Sequence, residues 1–214
     1  MPMLAYCITE ANAHAAIPPF GVGGAVIQVF HHSDLQCLTS SLQPEQVPQL
    51  SGRDAALEFH QVLQEVFKSS PIIPFRFPTT VQDEAELFRF LHEHASEYHE
   101  WLNRLRDMVQ MEIRISAKTK EHDGVARRPT GTAYLRAKQH SEVRLRTIAE
   151  RIRSASTTTV SEWRERDSGQ AKRLFALVLR SSLSRFKDQL ANLEVEPEYL
   201  IRISGPWPPA EFLN

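Results

Sequence analysis

The chain has 214 residues, is 42% hydrophobic and 24% charged, and carries a formal net charge of −1. That balance supplies a packed core and excludes collagen, bulk disorder and a disulfide-stapled mini-protein. With no apolar run of about 18 residues, no membrane span is expected. Residues 1–10 lack the basic and apolar regions of a secretory signal. Cys7 and Cys37 are the only cysteines and show no metal-type spacing, so reduced thiols in the cytoplasm are the expectation.

Net charge conceals an asymmetry. Residues 1–117 hold 7 Lys/Arg against 14 Asp/Glu, a balance of −7, whereas residues 118–214 hold 18 against 12, a balance of +6. Such a contrast predicts two units with different surfaces.

In chain order, residues 3–9 read as a short strand. A turn-rich loop with Pro18, Pro19, Gly21, Gly23 and Gly24 follows. Residues 25–31 and, more weakly, 35–42 read as paired strands. Pro44 and Pro48 then break the chain. From Asp54 the apolar residues Phe59, Val62, Leu63, Val66 and Phe67 fall on one helical face. Residues 72–77 alternate around Pro74, which confines them to an edge or a strand end. A longer helix is predicted over 83–105, with Leu91, Ala95, Tyr98, Leu102 and Leu105 on one stripe and Thr80 as its cap. Asp83, Glu84 and Glu86 suit its first turn. Residues 108–115 complete a β-β-β-α-β-α-β order.

Residues 118–130 are polar and punctuated by Gly124 and Pro129, and read as a linker. The second unit opens with a basic helix over 132–154, its apolar side formed by Leu135, Leu145, Ile148, Ala149 and Ile152. Strands are predicted over 157–166, 173–179 and 199–204, with a short helix marked by Leu183, Phe186, Leu190 and Leu193. The fold class is therefore α+β in two domains. Residues 1–117 form a modified ferredoxin-like sheet carrying helices. Residues 131–214 form a smaller α+β domain ending in a Pro/Trp-rich tail.

Few residues suggest catalysis. His92, His94 and His99 share a helix, but spacings of 2 and 5 scatter them over different faces, unlike a HExxH pair. His31, His32 and Asp34 have metal-ligand chemistry without a second cluster in the sequence to meet. Residues 21–24 contain three glycines but lead into a strand, not the helix a phosphate loop requires. Positive φ is their expected use. Neither cysteine has an activating neighbour motif. No catalytic residue, cofactor or metal is assigned.

The basic helix carries Arg136, Lys138, Arg144, Arg146, Arg151 and Arg153 with Glu142 and Glu150 between them. This mixture suits a solvated face or an acidic protein surface, including the first half of the chain, better than a phosphate-tracking groove. Arg144 and Arg151 are candidates for partner binding or domain docking. The same role is assigned to Gly205, Pro206, Trp207, Pro208, Pro209 and Phe212 of the tail. Its three prolines exclude a helix or an interior strand, and its two aromatics are placed to staple the second unit's core or to dock a partner. Burying an indole gains on the order of 2–3 kcal/mol, enough to hold a short tail.

The stretch from Ser204 to Phe212, SGPWPPAEF, following a strand at Tyr199-Leu200-Ile201, resembles the C-terminal signature of the gas vesicle protein L/F family. Pro74-Phe75-Arg76-Phe77-Pro78-Thr79 and the run Gly131 to Lys138, GTAYLRAK, resemble further family segments, as do the strands holding Tyr6 and Glu112. Ala210 departs from the family's usual tyrosine, and Pro78-Thr79-Thr80 from its glycine-threonine turn. The resemblance implies a non-enzymatic minor component of gas vesicles, the hollow protein shells that give buoyancy. It also implies contacts with the shell protein and other accessory proteins. It implies no nucleic acid, membrane or small-molecule partner. Two rivals remain from the residues alone: a metal-dependent enzyme using the histidine-rich first half, and a nucleic-acid binder using helix 132–154.

Overall fold

The computed structural model describes residues 1–11, 15–43, 50–118, 131–168 and 171–213. The segment 119–130 expected as a linker, with Pro44 and Pro48, lies outside them, as does the side chain of Leu135. The chain forms two compact units, Met1–Met108 with Trp207–Asn214, and Val109–Pro206.

The first unit is built around β1 (Met3–Glu10), whose first seven residues are all buried. A strand apolar throughout needs cover on both faces, and two helices supply it. Tyr6 stacks on Phe59 of α1 (Arg53–Ser69), ring centroids 5.2 Å apart. Met3 and Ile8 instead cluster with Leu87, Leu91, Tyr98 and Leu102 of α2 (Glu84–Arg104). A register shift between Ala5 and Cys7 lets the strand change which residues face which helix. β2 (Ile27–His32) and β3 (Leu35–Ser41) form an antiparallel hairpin, and β3 pairs with β1. β4 (Ile73–Pro74) pairs with β1 at the other edge, where Pro74 costs the ladder least. β5 (Thr80–Val81) adds a further short pairing to β1.

All five apolar residues predicted for α1 are buried. Thr80 does not cap α2. It lies in β5 opposite Leu4, and Asp83 is the cap, its carboxylate accepting the Glu86 N–H at 2.8 Å. Glu86 in turn accepts the Gln82 N–H at 2.6 Å, a reciprocal arrangement that satisfies two otherwise free donors.

The strand at 108–115 is β6 (Met108–Ala117), and it differs in allegiance from the prediction. It lies in the second sheet, ordered β7-β8-β6-β9, with β7 (Val160–Ser168), β8 (Ala171–Leu179) and β9 (Tyr199–Trp207). Its ladder partners therefore belong to the second unit, and the chain divides at 108/109 rather than 117/118. By these units the charge contrast widens: 6 basic against 14 acidic residues in the first, 19 against 12 in the second. α3 (Gly131–Ala155) and α4 (Leu183–Ala191) pack on β8, burying Leu145, Ile148, Ala149 and Ile152 with Phe186 and Leu190.

Candidate interaction site

The tail completes the first unit, which corrects the expectation that it staples the second unit's core. Gly205, Pro206 and Trp207 extend β9, an edge strand, where absent proline donors are tolerated. Beyond it Pro208 and Pro209 are buried and Phe212 is fully so. Trp207 lies edge-on to His60 of α1 at 5.0 Å, and Leu213 packs on the α2 cluster. The Arg104 guanidinium donates to the Phe212 carbonyl. Eight residues distant in sequence thus return to the first unit, which periodicity near the tail had no means of showing.

Arg144 and Arg151 meet a carboxylate inside their own unit. Both guanidinium groups stand 3.8 Å from Glu196, and Arg151 also donates to the Glu194 carbonyl. Together they fasten the segment between α4 and β9 to α3. The arginines belong to one unit, and Trp207–Phe212 to the other.

The histidines converge more than spacing predicted. His32 packs edge-on against Phe88 at 4.7 Å and against His92 at 5.5 Å, and His99 Nε2 stands 2.8 Å from Asp34. The β2–β3 hairpin lies against α2 and brings residues 32, 34, 92 and 99 to one region. Among the described residues, however, no three potential ligands gather around one point. Both thiols are buried in apolar surroundings, which pushes Cys7 up to about 12 and raises Cys37 well above the ordinary thiol range.

A surface feature that sequence reasoning missed lies beside the glycine loop. Tyr6 organises it: its fully buried hydroxyl accepts the Val22 N–H at 2.9 Å and pairs with the Ser40 hydroxyl at 2.9 Å. Burial raises the Tyr6 pKa, so the phenol stays neutral. Gly23 and Gly24 take φ of 64° and 69°, the positive values expected of this loop. Gly21 is required for another reason. A Cβ there would sit 2.1 Å from the Tyr6 oxygen.

So held, the loop presents Phe20 paired across to Val26 and stands against α1. Phe20, Val26 and Leu57 are 60%, 62% and 50% exposed. A cleft of about 270 Å³ lies here, lined by Pro18, Phe20, Gly21, Glu58, Gln61, Val62 and Glu65. Leu57 precedes Gln61 by one helical turn and so shares its face. Glu58 accepts the Gly23 N–H at 2.7 Å, tying the helix to the loop. The cleft is apolar at its lip with carboxylates along the helix side, chemistry suited to a protein surface carrying apolar and basic side chains. Two prolines beside an aromatic in a glycine-rich loop were the available sequence signal; the helix face that completes the cleft was not deducible from it.

The model of the family described as "Gas vesicle synthesis protein GvpL/GvpF" matches residues 2–214. The chain belongs to this family. No curated protein matches the chain. Two crystal structures are among those that share its fold. The gas vesicle protein GvpF from Anabaena sp. PCC7120 superposes with a TM-score of 0.83 at 15% identity, covering 100% of this chain and 96% of that one. GvpF from Microcystis aeruginosa gives 0.79 at 14% identity, covering 100% and 99%. Family membership supports a role in gas vesicles, and the mixed α+β fold is that of the GvpF structures.

Proposed function

We propose that the protein is a non-catalytic accessory component of gas vesicle formation in the cytoplasm. It works by contact with the small hydrophobic shell protein and with other accessory proteins. The observation that carries this reading is the family match across residues 2–214. Support comes from the cleft lined by Phe20 and from the exposed apolar side chains Val26 and Leu57 of the same loop and helix, which suit a hydrophobic partner. Several groups that nucleophilic or metal chemistry could call on have other contacts: His99 lies against Asp34, His32 packs against aromatic rings, and both thiols are buried.

Deleting the gene from a vesicle-forming host that carries it tests the reading. Vesicles should disappear or fall sharply in number by light scattering and electron microscopy. Wild-type protein should restore them, and a folded Phe20→Asp/Leu57→Asp variant should not. Normal vesicles in a deletion strain without a paralogue would overturn the proposal.

A further inference from the structure

Most sheet cations of the second unit meet an acid within it. Arg173 Nε stands 2.7 Å from Glu112, Arg164 Nε stands 3.1 Å from Glu162, and Lys172 lies 3.3 Å from Glu165 and 3.0 Å from Asp167. On α3, Arg153 pairs with Glu165 and Arg146 with Glu150. Arg114, Lys118 and Arg202 break this pattern. All three are exposed, and none has a carboxylate partner among the described residues.

They line one concavity. The Lys118 N–H donates to the Glu198 carbonyl at 2.7 Å. Continued antiparallel from that bond, the register of β6 and β9 sets Ser116 beside Leu200 and Arg114 beside Arg202. These residues, with Ala117 and Lys118, border a cavity of about 460 Å³, and no acidic residue lines it among those described. Like charges directly opposite each other on neighbouring strands destabilise a sheet. A fold that pairs Arg164, Lys172 and Arg173 with acids and leaves these cations together departs from its own local rule, the kind of departure that marks functional sites. An incoming carboxylate turns that repulsion into attraction.

We propose that Arg114, Lys118 and Arg202 form a docking site for an acidic segment of a partner protein. The segment carries two or three carboxylates around an aliphatic side chain that covers Leu200 and Ala117. Three cations around one pocket fit a few carboxylates, whereas nucleic acid calls for an extended basic track. This deepens the accessory reading by giving one partner's chemistry, and rests on that reading for its cellular setting alone.

Fluorescence anisotropy with the full chain tests the site. The probe is a fluorescein-labelled peptide of six glutamates flanking a central leucine. It should bind at about 50 mM salt and weaken as salt shortens the screening length. Arg114→Gln/Arg202→Gln should weaken it at least tenfold, with circular dichroism unchanged and melting equal or higher because the like-charge repulsion is relieved, and Lys118→Gln should add to the loss. Arg136→Gln/Arg146→Gln, which removes equal charge from exposed α3 positions, should retain binding. No binding, an equal loss in the α3 variant, or equally tight binding of a twelve-residue oligothymidylate would each overturn the proposal. These results do not depend on vesicle formation, so failure here and failure of the deletion phenotype are distinguishable.

Discussion

Substituting Gly21 by alanine tests the packing that shapes the first unit's cleft. The backbone at Gly21 has a negative φ of −117°, so no left-handed strain arises, and the main penalty is the steric one of the added Cβ. The added Cβ would lie 2.1 Å from the Tyr6 oxygen, 2.7 Å from its Cζ and 3.3 Å from Ile27 Cγ1. Ordinary carbon–oxygen separation is about 3.3 Å or more, so Tyr6 must retreat by roughly 1 Å. That movement breaks the bonds of its hydroxyl to the Val22 N–H and to Ser40, and disturbs the stack on Phe59. Overpacking costs about 1–3 kcal/mol, and a buried group left without its partner adds about 1–3 kcal/mol. A loss near 4 kcal/mol is expected, read as a lower urea midpoint at unchanged slope. Tyr6→Phe alone should cost about 1–2 kcal/mol through the lost hydroxyl. In the Gly21→Ala background it should cost nothing or stabilise, because it removes the clashing oxygen. The coupling in the double-mutant cycle should reach about 1–3 kcal/mol. A Gly21→Ala cost below about 1 kcal/mol, or additivity within about 0.5 kcal/mol, would refute the reasoning.

Further expectations concern the tail and the thiols. Phe212→Ala should destabilise by about 3–5 kcal/mol, since the ring is wholly buried, whereas Phe88→Ala, at an exposed position, should cost under about 1 kcal/mol; equal losses in urea unfolding would remove the tail from the core. Cys7 and Cys37 should resist a thiol-specific disulfide reagent at pH 8 in the folded protein and react fully in urea, as their burial favours the neutral thiol. Because the folded-state thiol pKa is raised, this contribution to stability is complete below the ordinary value of 9.0 and declines as pH rises from there toward about 12. Alkaline unfolding should therefore shift upward in a folded Cys7→Ala variant, and an unchanged midpoint would count against burial as the cause.

Local elements were legible wherever one residue pattern faced one environment. The stripe from Phe59 to Phe67 fixed the buried side of α1, and the β-rich runs at β2, β3 and β8 were visible as strands. The cap of α2 was missed because Thr80 and Asp83 are both good caps, and only pairing of Thr80 with β1 removes it from competition.

Sequence alone determined that this is a two-part α+β protein of opposed charge, and its tail motif pointed to the gas vesicle family. Tertiary structure decided where the parts divide and what the surface offers. β6 follows the first unit's helices in the chain, yet its ladder neighbours are β8 and β9, and backbone hydrogen bonding sets its membership. The tail follows β9, but burial of Phe212 and contact of Leu213 with the α2 cluster return it to the first unit. The Phe20 cleft and the cavity that Arg114 and Arg202 line together likewise come from elements distant in sequence. Side-chain periodicity reports only which face of an element is buried; which element covers that face depends on long-range packing.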